Sequence, residues 1–459
     1  MPGGPQRSPV TRRLALPGLV AATFFIVSGG PYGLEDVVAG RGYGGALALL
    51  AILPLIWSLP VALAVGELSS ALPDTGGYYV WVRRALGPFW GLQEAWLSLS
   101  VTVFDLAIYP AMLVAYLSRL WPGLGGVEMG SAGWAVALAM IAAGAAWNLL
   151  GIRAVGRGSE WLGALVLAPF AAMVILAVAG LPSDGGERLA GALSAPAPQD
   201  GAGLVAGLLA AMWNYMGWDN ASTFAGEVEA PARTYPRAML LGVALVAAVY
   251  LLPVLAAATT GMPAASWSAG SWVEAAHRLG GPWLAALVVA GGATTVVAMF
   301  VAILLSWSRL PVALALDGWL PEAFARRSPR SGAPVASVVA GALLCAAVVG
   351  LGLRRLLEID VLLYGGGLVL ELVALLVLRV REPALPRPFR VPGGLAGAGL
   401  AAALPTALLA FAAWEGRAEP GAFGLSALEV AALVAALGVP WYAAVGSRAR
   451  RPGRRSSPT

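Results

Sequence analysis

The stretch Ser28-Gly29-Gly30-Pro31-Tyr32-Gly33 lies in the middle of an apolar run, Ala15 to Gly40, that is otherwise long enough to cross a bilayer as one helix. Each glycine weakens a helix interior by about 1 kcal/mol and proline by about 3, so the helix is predicted to stop at Ser28 and restart beyond Gly33. A second stretch breaks in the same way: Asn214-Tyr215-Met216-Gly217-Trp218-Asp219-Asn220 sets polar residues and a glycine inside the apolar run Gly203 to Glu227. Backbone released from a helix at membrane depth cannot face lipid; it must be covered by protein or line a water-filled cavity.

Apolar runs of similar length recur to the end of the chain. With 59% hydrophobic and 12% charged residues, the composition excludes a water-soluble surface, which carries about 25% charge. The runs are unbroken, whereas transmembrane strands show alternating segments of about 10 residues. The expected fold class is therefore an all-α membrane protein with about twelve transmembrane helices. Residues 1–13 read as an N-terminal tail, and no small-residue cleavage site follows them, so the first run is structural. Residues 14–181 hold spans one to five, 203–381 spans six to ten, 395–446 two appended spans, and 447–459 a basic tail.

The two breaks, 187 residues apart from Gly30 to Gly217, would open the first span of each five-span half. Interrupted helices in corresponding positions of two inverted halves build a mid-membrane solute site from half-helix ends. The alternative is two packing kinks with no site between them; no residue-level repeat between the halves decides it.

The charge pattern concerns topology. All 29 basic residues are arginines, and the tails and loops on one side hold about three times as many as those on the other, which orients both termini to the cytoplasm of a cell membrane. The arginines are dispersed among loops and not gathered on one face, so the net charge of +5 does not indicate a nucleic-acid partner. The single cysteine, Cys345, allows no intrachain disulfide and no cysteine-based metal cluster. No cofactor or metal is expected.

Charge inside a membrane is costly, so each intramembrane carboxylate is a candidate functional group. Asp219, beside Trp218 within the second break, either caps the helix segment that follows or binds an amine or proton. Asp105 lies in the third span, about 25 Å from its start at Pro88. Tyr109 follows one turn later on the same face, and Glu94 three turns earlier, displaced by only about 20°. Glu94, Asp105 and Tyr109 therefore line one face; Asp105 and Tyr109 can present a carboxylate and a hydroxyl to a bound amine as part of the substrate site with Asp219, and Glu94, Asp105 and Asp219 are candidates for a proton pathway.

Glu35 and Asp36 begin the outer half of the first span, where two adjacent carboxylates would form an outer vestibule or face water. Amides after Gly29 and Gly30 are placed to receive a substrate carboxylate; together with Ser28, Tyr32, Asn214 and Trp218, the last as a lid, they complete the expected substrate site. Glu67, Glu160, Glu227 and Glu229 read as ion-pair partners of loop arginines, and His277 as a solvated residue.

Five stretches together resemble the amino acid/polyamine/organocation permease superfamily: SGGPYGLED (Ser28 to Asp36), GELSSALPDTGGYYVWVRRALGPFWG (Gly66 to Gly91), NYMGWDNASTFAGEVEAPARTYPRA (Asn214 to Ala238), DGWLPEAFARRSPRSGAPV (Asp317 to Val335) and REPALPRPFRVP (Arg381 to Pro392). Within it the chain is most similar to the plant and protozoan polyamine and amino acid permeases. The resemblance implies a five-plus-five inverted-repeat core, alternating access and proton-coupled uptake of an amino acid or amine, with sodium disfavoured. One departure bears on the substrate. Where the polyamine permeases carry acids in the eighth span, this chain reads Ile303, Leu304, Leu305, Ser306 and Trp307, which shifts the expectation from a polyamine toward an amino acid. A membrane enzyme, a channel and an amine sensor without transport are the rival classes. The sequence has no metalloprotease motif, nucleophile elbow or selectivity-filter repeat.

Overall fold

The computed structural model describes residues 15–72, 77–150, 159–196, 201–220, 228, 231–316, 318–417 and 424–449. The first span begins as α1 (Leu16–Val27), with a proline in its first turn, and ends at Ser28, whose backbone is extended. Gly30 and Gly33 then take φ of +91°, a conformation open to glycine without strain. The helix resumes as α2 (Glu35–Leu53), with both acids in its first turn, where the helix dipole favours negative charge. Gly42, at φ +67° and ψ 172°, breaks this helix again and divides the first span from the second.

A π-helical turn, Pro54–Ser58, joins α2 to α3 (Leu59–Ala71). Pro54 has no N–H to offer the carbonyl one turn back, and Leu50, four residues earlier, instead accepts from the Tyr215 hydroxyl at 2.9 Å. An amphipathic helix, α4 (Gly77–Leu86), leads into α5 (Pro88–Ser118). Then follow α6 (Ala132–Leu149), α7 (Ser159–Gly180), α8 (Gly186–Ser194) and α9 (Gly201–Asn214). The sixth span stops at Asn214; Gly217 has φ +94°, and residues 221–227, the expected continuation, lie outside the described residues.

The second half continues with α10 (Pro231–Ala258), α11 (Trp272–Gly280), α12 (Pro282–Trp307), α13 (Arg309–Leu316), α14 (Val335–Val348) and α15 (Leu353–Arg381). Two last helices, α16 (Gly394–Gly416) and α17 (Ala427–Ala449), close the chain. Among the described residues nine stretches are long and apolar enough to cross a membrane, and three shorter apolar helices add to them. One of the nine, Glu35–Ala71, holds the rest of the first crossing and all of the second, so the set accounts for twelve crossings.

Three packings position the interior. α5 lies against α15, α9 against α2, and α12 against α5. The face from which α1 starts is fastened by Glu67, fully buried near the end of α3. Its carboxylate takes two hydrogen bonds from Arg379, lies 3.2 Å from Arg387 and accepts from the Val391 amide at 2.7 Å. This is the pairing expected for Glu67. Glu227 and Glu229, and the side chain of Glu160, lie outside the described residues. Cys345 is buried within α14, and His277 is exposed on α11.

Candidate functional site

Where the two broken spans meet α5, α12 and α15, they enclose a cavity of about 470 Å³, within the size range of small-molecule sites. Gly29 and Tyr32 line it from the first break, and Asn214, Met216, Gly217 and Asp219 from the second. α5 contributes Glu94, Ser98, Thr102, Asp105 and Tyr109 along one face, at the spacing that three helical turns require. The structure thus brings most of the sequence-derived candidates into one space.

Each of these side chains is held. Asp105 Oδ1 accepts from the Tyr109 hydroxyl at 3.3 Å and from Trp213 Nε1 at 3.4 Å. Asp219 accepts from the Tyr364 hydroxyl, which in turn accepts from the Gly217 amide at 3.0 Å. Asn214 donates to Ala210, and its own carbonyl takes the Tyr250 hydroxyl at 2.7 Å. The Tyr32 hydroxyl donates to Val288 at 3.1 Å, with its ring packed edge-on against Tyr116 and Phe170.

Five candidates stand elsewhere: Ser28, Gly30, Trp218, Glu35 and Asp36 do not line the cavity. Ser28 is fully buried and accepts from the Gly30 amide at 3.2 Å, so that amide is engaged within the break. Trp218 is buried away from the cavity, its Nε1 donating to Tyr215 at 2.8 Å and its ring packed near Gly242; the aromatic wall is Trp213 instead. Glu35 is not in an open vestibule. It is buried, accepting from Tyr116, from Gly270 N at 3.0 Å and from Gly33 N at 2.8 Å, which ties the first break to α5 and to the loop before α11. Asp36 is half-buried and does not line the cavity.

Two carboxylates escaped the sequence reading. Asp360 and Glu371 both project from α15 into the cavity. Asp360 is fully buried, and among the described residues neither of its oxygens has a hydrogen-bond partner; one oxygen each of Glu94 and Glu371 is in the same condition. Asp360 faces Asp105 electrostatically, while Glu371, Glu94 and Asp219 act on one another. Among the described residues the lining therefore holds five acids, and its one guanidinium is that of Arg309, an exposed residue at the start of α13. The eighth-span residues Ile303, Ser306 and Trp307 also line the cavity, without an acid among them, while the tenth span brings Asp360 and Glu371.

Comparison with known proteins agrees with this architecture. The polyamine transporter PUT1 of Oryza sativa subsp. japonica is 37% identical over 413 residues, covering 89% of this chain and 75% of that protein. The polyamine transporter RMV1 of Arabidopsis thaliana is 34% identical over 415 residues, covering 89% and 82%. The crystal structure of MhsT in complex with L-phenylalanine shares the fold, with a TM-score of 0.63 at 13% identity over 89% of this chain and 99% of that one. The sequence profile of the family described as "Amino acid permease" matches residues 20–426. A multi-pass helical protein with a mid-membrane cavity between two broken spans, matched by that profile over most of its length, is a transporter and not an enzyme, and the chain belongs to the amino acid permease family of the amino acid/polyamine/organocation superfamily.

Proposed function

We propose that this protein is a secondary transporter that carries a short aliphatic polyamine across the cell membrane by alternating access. The observation that carries this reading is the charge of the cavity: among the described residues, five carboxylates on α5, α15 and the second break face one space whose lone cationic lining residue sits at the start of α13. Buried carboxylates with unused acceptor oxygens stay ionised only against a cation and otherwise take up a proton, so the lining suits an amine that shares its acids with protons. A zwitterionic amino acid fits less well, because the amides of Gly30, Gly33 and Gly217 are already engaged by Ser28, Glu35 and Tyr364. The names of the plant relatives support the same class.

In this reading the arginine-rich face is cytoplasmic, and residues 14–181 and 203–381 form the two inverted halves that rock about the site. The proton is the coupling ion, taken up or released at Glu94, Asp105 or Asp219, the same carboxylates on which the amine bears. The test is uptake of labelled spermidine and putrescine into proteoliposomes, with amino acids in parallel. Accumulation of amines that follows a pH gradient and ignores sodium is the expected result. Transport of zwitterionic amino acids with no response to amines would overturn the substrate, and dependence on sodium alone would overturn the coupling. Binding without uptake would point to a sensor.

A further inference from the structure

The five carboxylates are not scattered. Glu94 and Asp105 are eleven residues apart on α5, and Asp360 and Glu371 are eleven apart on α15. Eleven residues make just over three whole turns, so each pair lies on one helix face with about 16 Å of rise between its members. The two helices pack in opposite directions. The Glu94 carboxylate lies so close to Gly367 that a Cβ there would meet its Oε1 at 3.0 Å, and Glu371 is one turn further on, while the acids eleven residues away, Asp105 and Asp360, both line the cavity toward the other end. Two acidic rungs result: Asp105 with Asp360, and Glu94 with Glu371, the latter joined by Asp219.

Between the rungs the lining changes character. Val101, Leu363 and Leu368 are apolar, and Ser98, Thr102 and Tyr364 bring hydroxyls. Such a wall suits methylene segments and an interior amine. The unpartnered oxygens of Asp360, Glu94 and Glu371 belong to both rungs, so each rung has an acceptor free for an ammonium group.

We infer that this pair of rungs is a length gauge, which selects amines long enough to place an ammonium group on each rung at once. The inference rests on the amine reading above and adds the spacing. An extended chain advances about 1.25 Å per bond, as the 3.8 Å Cα step over three bonds shows. A four-carbon diamine, with five bonds between its nitrogens, spans about 6 Å, and hydrogen bonds of about 2.8 Å at each end bring its reach to roughly 12 Å. A triamine with three- and four-carbon spacers has nine bonds and reaches about 17 Å. The diamine occupies one rung; the triamine bridges both.

The test is calorimetric titration of the purified protein with α,ω-diaminoalkanes of four to twelve carbons, beside monoamines of the same lengths. The diamine dissociation constant should fall in a step on the order of tenfold near eight carbons, the length at which a second charge-assisted bond forms. Monoamines should show no step. Glu371→Gln and Asp360→Asn should each erase the step, and the wild-type series stands without them if either fails to fold. Diamines that bind equally at all lengths, or a smooth rise shared with monoamines, would overturn the gauge and leave the amine reading intact. No binding by any amine, spermidine included, would overturn both.

Discussion

Tyr364 shows how one side chain couples a helix break to a charge. Its hydroxyl accepts from the Gly217 amide and donates to Asp219, so Tyr364→Phe leaves a buried N–H without this acceptor and a carboxylate without this donor. Such a loss costs about 1–3 kcal/mol per group; the thermal midpoint of the detergent-solubilised protein should fall, and spermidine affinity with it. Asp360→Asn removes one negative charge from a fully buried site and should weaken spermidine binding on the order of tenfold or more, read by titration calorimetry. An unchanged affinity would take Asp360 out of the site. Asp360 was hidden in the sequence because it follows the charged run Arg354, Arg355 and Glu358, where an apolar tenth span would only begin. The helix in fact begins at Leu353, since both arginines pair with Glu358 on the helix itself. Those two polar turns move Asp360 inward, and Glu371 with it. The reverse happened to Trp218: its neighbour Asp219 does line the cavity, but which aromatic faces inward depends on the local twist after Asn214, a property of backbone angles rather than of composition.

At the scale of the element, both breaks were legible because glycine and proline act locally. Gly33 combines φ of +91° with a Cβ position 2.9 Å from the Trp213 ring. Gly33→Ala should therefore strain the first break and displace Trp213 from the cavity wall, lowering both thermal stability and amine binding; the backbone term alone is about 1–2 kcal/mol. The bond from the Tyr215 hydroxyl to the Leu50 carbonyl was not legible, because the acceptor that Pro54 leaves open is satisfied from a span far away in the chain. Tyr215→Phe should leave Leu50 without that donor in a region no water reaches, at a cost of about 1–3 kcal/mol visible in a thermal melt. A stability equal to wild type would show that Leu50 finds another donor. On the face from which α1 starts, Glu67→Ala would strand Arg379 and Arg387 beside a buried gap. Loss of one partner from a buried ion pair costs roughly 3–5 kcal/mol, so this variant is expected to be the least stable of those named.

For the whole molecule, twelve crossings, their all-helical nature and the position of the cavity could be read from hydropathy and two interruptions. The charge of the cavity could not be read in full, since it depends on which faces of α5 and α15 meet. Orientation rests on arginine counts and can be checked directly. Met129, 82% exposed in the connection between α5 and α6, and Glu322, exposed between α13 and α14, lie on opposite faces of the bundle. A cysteine placed at 129 should react with a membrane-impermeant maleimide on intact cells, and one at 322 only after the cells are opened; the reverse pattern would invert the topology. The experiment is simple because the chain's sole thiol, that of Cys345, is sealed inside α14. Nature has in effect supplied a silent background. Fluorophores or spin labels can be attached to pairs of introduced cysteines across the two mouths of the bundle without first removing the native one, so the proposed rocking of one half against the other can be followed as a distance with Cys345 in place.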